Sequence, residues 1–431
     1  MARCGLVLSS DGAKSSFEIG AWRAIRELDI EITTVAGSFV GALNAALIAQ
    51  GSFDTAVKFW GRALTSQMFY DTSSLLVEKY TNEWSIVDVA TFRKSFADYI
   101  GSGAEELRAL RDAIAFHIDE KTVRVSGTSL SFVSLALDKL AVRPITLDEV
   151  PDGQLAHYLL AATCYPQIAH STRIFDSMFS IGHSPFKSID IDNVDLVLTT
   201  DEVAIIPPHL RPLATIIKSN EILEFSAQES LDAIKHKIKN GHIETLKLFA
   251  KSLGNYFYIV EGPQVEFDIF CNKLGSPLPA HLGSLVEFML STDIKSRRTI
   301  LNAMSSLAAQ AGIESADIAL ALLENIGRFL GIAANEKHSK DRLLALCVET
   351  SKKLLEAAKY SIMEHNTFAE ILANIEDPGN NLPGPELFMK YFLLFISAKP
   401  DKYPKLQHFL SCLHQKTILA LATLLYIYYA A

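Results

Sequence analysis

The chain has 431 residues and a formal net charge of −9 at pH 7. At roughly 100–200 residues per domain, this length predicts two domains or one large domain with an appendage. Hydrophobic residues make up 49% of the sequence and charged residues 21%, a balance that is typical of a globular protein and excludes a wholly disordered one. The acidic balance excludes a broad basic surface, so we predict no nucleic-acid partner.

The cysteines are scattered and odd in number, and they lack the spacing of a zinc site. This pattern predicts free thiols in a reducing compartment. The apolar run after Arg3 stops at Ser9, before the apolar region of a secretory signal could form. We therefore predict a cytoplasmic protein with neither a metal nor another cofactor.

The first half of the chain alternates between strand-like and helical patterns. The predicted strands are Cys4–Leu8, Thr34–Ala36, Thr122–Ser126 and Asp195–Thr200. The predicted helices are Ser15–Leu28, Val40–Gln50, 104–118 and 153–163. Strands that alternate with helices indicate an α/β fold with a mainly parallel sheet.

The second half of the chain is mainly helical. Apart from a short strand-like run at Tyr256–Val260, helical periodicity covers Ser226–Gly241, Glu244–Leu253, 261–274, 281–290, 294–311, 315–331, 340–363 and 384–398. We predict an α/β domain at residues 1–250 and a C-terminal helical region at 251–431.

The uncharged C-terminal segment Thr417–Ala431 raises the question of a membrane contact. A spanning helix needs about 20 apolar residues, and this segment is shorter. We expect a buried terminal helix, with peripheral membrane contact as the alternative.

Two strand–turn–helix units lie within the first fifty residues. One strand runs into a loop around Gly12 and then into a helix. The other makes a tight turn between Gly37 and Gly41 and enters a helix of small residues. A turn of the second kind holds the nucleophile of acyl hydrolases, and a glycine-rich loop beside it supplies N–H donors for an oxyanion.

These units resemble those of the patatin-like phospholipase family, whose members carry an oxyanion loop Gly-Gly-Gly-x-Lys/Arg-Gly, a nucleophile elbow Gly-x-Ser-x-Gly and a later dyad aspartate. The likeness covers roughly residues 4–200, and the helical tail is similar to that of longer bacterial members. The matching segments are LVLSSDGAKSSFEIGAW, VAGSFVGALNAALIAQG and HYLLAATCYPQIAHSTRIFDSMF. The resemblance implies a three-layer α/β/α sandwich with a mainly parallel sheet, followed by the helical region.

The nucleophile position departs from the family pattern. The resemblance places Phe39 there, between the elbow glycines Gly37 and Gly41, and a phenylalanine cannot act as a nucleophile. Ser38 lies one position away and is a weak alternative, because a shift of one residue aims the side chain elsewhere. A small residue that suits a tight turn is the simpler interpretation of Ser38.

The oxyanion loop is altered as well. Its positions in this chain are Ser10, Asp11, Gly12, Ala13, Lys14 and Ser15. A carboxylate at Asp11 would oppose the negative charge that an oxyanion develops, unless it pairs with Lys14 or caps the following helix.

The resemblance assigns the dyad aspartate to Asp176, although the small residues that follow it in the family are Ser177 and Met178 here. Without a serine to activate, a loop aspartate that bonds its own backbone is an equal interpretation. Gly127–Ser131 has a superficial likeness to an elbow, and we predict that it is a strand.

The residues favour a catalytically inactive patatin-like homologue that binds lipid, a membrane surface or a protein partner. One alternative is an active lipid acyl hydrolase with a rearranged site that uses Ser38, Ser10 or Ser15 with Asp176. The other alternative is a structural or regulatory scaffold that acts through the helical half.

Overall fold

The computed structural model describes most of the chain in eleven longer stretches, with a few isolated positions between them. These stretches are residues 2–10, 15–61, 105–136, 141–171, 185–202, 205–221, 230–249, 252–274, 317–363, 383–396 and 413–430. The chain divides into two compact units, Met1–Ala250 and Lys251–Ala431. The first unit is mixed α/β and the second is almost entirely helical.

A six-stranded sheet forms the centre of the first unit. Its strands are β1 (Arg3–Ser10), β2 (Glu31–Phe39), β3 (Ser129–Ala136), β4 (Ala141–Thr146), β5 (Leu196–Thr199) and β6 (Ala214–Ile216). The spatial order is β4-β3-β2-β1-β5-β6, and every neighbouring pair is parallel except β3 and β4. The sequence predicted this mainly parallel sheet, although β2 is longer than the predicted Thr34–Ala36.

Seven helices accompany the sheet within the described part of the first unit. They are α1 (Ser15–Glu27), α2 (Gly41–Gln50), α3 (Phe53–Trp60), α4 (Glu105–His117), α5 (Glu120–Val125), α6 (Leu155–Ser171) and α7 (Leu231–Phe249). The apolar run of β1 is buried, as is usual for a parallel strand that has layers on both faces. Helix α2 packs on β2 and β3, and its small residues allow a close approach.

Helices α1 and α7 cross at two glycines. A Cβ atom at Gly20 would lie 1.9 Å from the Ile238 carbonyl oxygen, and one at Gly241 would lie 1.9 Å from the Phe17 carbonyl oxygen. The helix backbones therefore touch directly. The sequence predicted two helices here, Ser226–Gly241 and Glu244–Leu253. This prediction was wrong, because Gly241 lies inside the single helix α7, where it contacts α1 and does not end a helix.

The predicted strand Thr122–Ser126 is also wrong, because this segment belongs to helix α5. The Asp119 side chain caps the helix by accepting bonds from the backbone N–H groups of Lys121 and Thr122. Arg124 then pairs with Glu120 one turn earlier, at 2.7 Å. An N-terminal cap and this ion pair outweigh the β preference of the two valines in the segment.

The second unit contains five described helices and a two-stranded parallel pair. The helices are α8 (Val265–Leu274), α9 (Ile318–Phe329), α10 (Lys340–Met363), α11 (Pro385–Ile396) and α12 (Gln415–Ala430). The strand pair is β7 (Tyr258–Ile259) with β8 (Lys337–His338). The predicted helix 281–290 and most of 294–311 lie outside the described residues.

The C-terminal helix α12 is buried in the core of the second unit. Leu419 through Ile427 are all buried, and they pack with Phe388, Phe392 and other apolar residues. This confirms the expected buried terminal helix. No helix in the described part of the chain has both the length and the apolar character that crossing a bilayer requires.

Candidate functional site

The ends of β1 and β2 lie side by side at the carboxyl edge of the sheet. Ser9 pairs with Ser38, and Ser10 pairs with Phe39. Thr200 follows the end of β5, on the other side of β1. Strands β2, β3 and β4 lie on one side of β1, and β5 and β6 lie on the other. The order of the strands therefore changes direction between β1 and β5, and ligands bind at such a topological switch point in open parallel sheets.

The turn after β2 has the close packing of a nucleophile elbow. A Cβ atom at Gly37 would lie 2.4 Å from the Gly41 carbonyl oxygen, and one at Gly41 would lie 2.6 Å from the Leu8 carbonyl oxygen. Both contacts are to backbone atoms, which cannot move aside as a flexible side chain does. Only glycine therefore fits at either position without a shift of the backbone.

Phe39 lies at the apex of this turn in the left-handed backbone region. Its φ is 54°, and Asp29 is the one other non-glycine residue with a positive φ in the described part of the chain. Such a φ is a genuine outlier for a bulky side chain. Strain of this kind is the backbone signature of the sharp strand-to-helix turn that presents a hydrolase nucleophile.

A family model described as patatin-like phospholipase matches residues 6–187, a range that spans this elbow. Residues 6–187 are a patatin-like phospholipase domain. No curated protein matches the sequence significantly.

Two solved structures with remote similarity are bacterial proteins. VipD from Legionella pneumophila is 12% identical with a TM-score of 0.32, covering 99% of this chain and 92% of its own. ExoU in its heterodimeric complex with SpcU, from the type III secretion system of Pseudomonas aeruginosa, is 14% identical with a TM-score of 0.30. That match covers 95% of this chain and 86% of the other.

The hydroxyl group of Ser38 points into the patatin-like domain and not to its surface. Ser38 is 5% exposed, and its Oγ donates a hydrogen bond to the Ser9 Oγ at 3.1 Å. Successive strand residues face opposite sides of the sheet, so Ser38 and Phe39 point in different directions. Ser38 is therefore a cross-strand partner of Ser9, and no general base contacts it among the described residues.

Several predicted site residues of the patatin-like domain lie beyond the described part of the chain. Asp176 falls within residues 172–184, and Asp11, Gly12, Ala13 and Lys14 fall within residues 11–14, both outside the description. Ser10 ends β1 at the carboxyl edge of the sheet. Ser15 begins α1 and is buried, and its carbonyl oxygen accepts a bond from the Asn44 Nδ2 at 2.8 Å.

The segment Gly127–Ser131 is placed where it cannot act as a second elbow. Ser129 pairs with Thr34, near the amino end of β2, and Ser131 pairs with Ala36. The segment therefore enters β3 from the amino edge of the sheet, away from the edge that holds Phe39. Its prediction as a strand is confirmed from Ser129 onward.

A buried polar network under the elbow was not predicted from the sequence. The fully buried Glu18 carboxylate accepts bonds from the Asn44 Nδ2 and from the Thr200 Oγ1, each at 2.7 Å. The Trp60 Nε1 donates to the Asn44 Oδ1 at 2.7 Å. The network thus joins α1, the elbow helix α2, α3 and the end of β5. One sequence signal was available: Asn44 lies in the middle of a helix that is otherwise apolar and rich in small residues up to its last residue, Gln50.

The described cysteines do not offer a replacement nucleophile. Burial raises the pKa of the Cys4 thiol to about 12, so it stays protonated at neutral pH. Burial also raises the pKa of Cys347 and of Cys271. A thiol needs a lowered pKa to react as a thiolate. Within the ranges that the structure describes, no group of three or more His, Cys, Asp or Glu side chains is arranged to hold a metal ion.

Proposed function

We propose that the chain is a catalytically inactive patatin-like protein that acts by binding, with lipid or a membrane surface as the first candidate ligand and a protein partner as the second. The observation that carries this proposal is Phe39, a phenylalanine with φ 54° at the apex of an elbow whose glycine contacts are intact. The backbone keeps the geometry of nucleophile presentation, and the side chain lacks an atom that can attack a carbonyl.

The surroundings of the elbow support the loss of chemistry. Ser38 is buried against Ser9, so it is poorly placed to replace the missing nucleophile. The oxyanion loop carries Asp11 and Ser15 where the family has glycines, and a carboxylate there would oppose a developing oxyanion. Asp176, at the position of the dyad base, would then have no serine to activate.

The same surroundings support a retained binding role. The half-buried Phe39 lies at the carboxyl edge of a parallel sheet, at the end of β2 and one strand from the switch point between β1 and β5 where such folds bind ligands. An aromatic ring supplies apolar contact area for an acyl chain or for a partner's side chain. We place this role in the cytoplasm or at the periphery of a membrane, without a cofactor and without nucleic acid.

Labelling with a fluorophosphonate probe tests the inactive state, because the probe modifies only an activated serine. We expect no specific labelling of the wild-type chain, with an active serine esterase labelled alongside as the positive control. The Ser38→Ala, Ser10→Ala and Ser15→Ala variants provide matched controls. Specific labelling that one of these variants abolishes would overturn the proposal and identify the displaced nucleophile of an active acyl hydrolase.

A further inference from the structure

The second unit contains a polar cavity of about 380 Å³. It lies among helix α9, the first turn of α12 and the segment at residues 255–256. Its volume falls in the range of roughly 300–1,000 Å³ that is typical of sites for small ligands. Ala321 has the one purely aliphatic side chain among the described residues that line it. The wall therefore suits a polar ligand better than an acyl chain.

Two cations line this cavity without a carboxylate partner. The Arg328 guanidinium group lies over the Tyr256 ring, with its Cζ 4.4 Å from the ring centroid. This contact holds the group by one face and leaves its N–H edges free to bind a planar anion at two points. Lys416, at the start of α12, is half-buried. Neither cation forms an ion pair with a residue that the structure describes.

The single carboxylate in the described lining is already engaged. Glu324 is 5% exposed. Its carboxylate accepts hydrogen bonds at 2.8–3.0 Å from three successive backbone N–H groups, those of Asn255, Tyr256 and Phe257. It forms no ion pair with Arg328, although the two residues lie one turn apart on α9. The described lining therefore has two cations against one carboxylate, a net charge of +1.

A buried amide adds a hydrogen-bond acceptor to the cavity. Asn325 lines the cavity and is 4% exposed, and its Nδ2 donates to the Lys416 carbonyl oxygen at 3.0 Å. That carbonyl fixes the orientation of the amide, because exchange of the two amide atoms would set oxygen against oxygen. The Asn325 Oδ1 accepts no hydrogen bond from any residue within the described ranges. It is therefore available to a donor group of a ligand.

These features favour a monoanion that carries hydroxyl groups. A carboxylate matches the two-point geometry of the Arg328 guanidinium group and neutralises the net charge of the lining. A phosphate monoester carries about −1.5 to −2 at pH 7, which would leave negative charge uncompensated beside the buried Glu324. The Asn325 Oδ1 needs a donor, and a hydroxyl group supplies one.

We propose that this cavity binds a sugar acid, with its carboxylate at Arg328 and Lys416 and a hydroxyl group that donates to the Asn325 Oδ1. A free uronic acid and a uronic acid at the end of a glycan share this chemistry. All the described residues of the site belong to the second unit, so the proposal does not rest on the role proposed for Phe39.

Calorimetric titration of the full chain tests the site. The probes are galacturonate, digalacturonate, galactose and galactose 6-phosphate. We expect saturable one-to-one binding of galacturonate, of digalacturonate or of both, and the tighter of the two identifies the source of the ligand. Galactose differs from galacturonate only in a hydroxymethyl group that replaces the carboxylate, and it should bind at least about tenfold more weakly. Galactose 6-phosphate should bind no more tightly than galacturonate.

Variants of the two cations test the placement of the carboxylate. Arg328→Gln should weaken galacturonate binding by about tenfold, because the two-point contact is lost. Lys416→Gln should weaken it by about fivefold and keeps the test valid if the first variant fails to fold. The matched controls Arg342→Gln and Lys359→Gln make the same changes at exposed positions of α10 that do not line the cavity. Both controls should stay within about twofold of wild type.

Four outcomes would overturn the proposal. The first is the absence of saturable one-to-one binding of either uronic acid probe. The second is equal affinity for galactose and galacturonate, and the third is tighter binding of galactose 6-phosphate than of galacturonate. The fourth is a folded Arg328→Gln or Lys416→Gln variant that binds galacturonate no more weakly than its matched control.

Discussion

Phe39 holds a backbone conformation that costs a bulky residue about 1–3 kcal/mol. The backbone contacts of Gly37 with Gly41 and of Gly41 with Leu8 leave the turn little freedom to relax. The elbow of the patatin-like domain has therefore kept a strained geometry whose usual purpose is to present a nucleophile. In the inactive state that we propose, Phe39 takes the nucleophile position without changing that geometry.

This arrangement predicts the result of restoring the serine. Phe39→Ser alone should remain near background in ester hydrolysis, because the family resemblance puts Asp11 and Ser15 at glycine positions of the proposed oxyanion loop. Combining it with Ser10→Gly, Asp11→Gly and Ser15→Gly should raise the rate by about 10²-fold over the single variant, since one oxyanion donor is worth roughly that factor. Initial rates on a nitrophenyl ester measure both.

Substantial hydrolysis by the single variant would show that the loop can still stabilise an oxyanion. The quadruple variant with Asp176→Ala added is the control, because it tests whether any restored rate uses the dyad aspartate. Retention of the full rate in that control would remove Asp176 from the site.

The buried network around Glu18 is a second feature of individual residues. It predicts that one small substitution lowers the free energy of unfolding by a large amount. Asn44→Ala removes a donor from a buried carboxylate and leaves the Trp60 Nε1 without its acceptor. We expect the free energy of unfolding to fall by about 2–4 kcal/mol, as measured by urea denaturation. Lys58→Ala, an exposed change on α3, should stay within about 0.5 kcal/mol of wild type. An equal effect of the two variants would contradict the structural role given to Asn44.

Among the elements, the crossing of α1 and α7 determines where the first turn of α1 lies. The oxyanion-loop positions run directly into α1, and the helix is held by backbone contact with α7 at Gly20 and Gly241. A single methyl group at this crossing would meet a carbonyl oxygen, so the two helices would have to separate.

Gly241→Ala should therefore destabilise the protein by about 2–4 kcal/mol, even though alanine is the better helix former by about 1 kcal/mol. Thermal and urea unfolding measure the change. Gly101→Ala is the matched control, because Gly101 is helical and a Cβ atom there meets nothing within 4 Å. That control should be neutral or stabilising by up to about 1 kcal/mol. A neutral Gly241→Ala would show that the helices can move apart at little cost.

Sequence patterns predicted elements well where one local signal dominated. The apolar run of β1 and the glycine spacing of the elbow are local, and both were recognised. The segment of helix α5 was predicted as a strand because its valines weakly favour β structure. The cap from Asp119 decides the competition in favour of the helix. The contact of Glu18 with Thr200 joins residues 182 positions apart, so no local pattern could have shown it.

At the scale of the whole molecule, the chain combines an α/β unit with a helical unit and has a net charge of −9. This charge bears on the proposed lipid contact. Electrostatic repulsion would oppose binding to a strongly anionic vesicle, and it is screened over about 10 Å at 0.1 M salt. Apolar contact would be the main source of affinity for a bilayer.

Liposome flotation tests this expectation. We predict that the protein floats with phosphatidylcholine vesicles, and that its binding to vesicles with added phosphatidylglycerol strengthens as salt is raised. Phe39→Asp should reduce flotation, whereas the surface change Lys58→Asp should not. A protein that stays with the soluble fraction for every vesicle would refute the lipid role and leave a protein partner as the ligand.

The inactive state is the central claim, and ester hydrolysis by the purified chain tests it most directly. Wild type and Asp176→Ala are assayed side by side on a short-chain nitrophenyl ester and on mixed phospholipid vesicles. We predict that both remain at the rate of the buffer, because Phe39 offers no nucleophile and Ser38 is buried against Ser9. Hydrolysis by the wild type that disappears in Asp176→Ala would contradict this account and show a working site with a displaced serine.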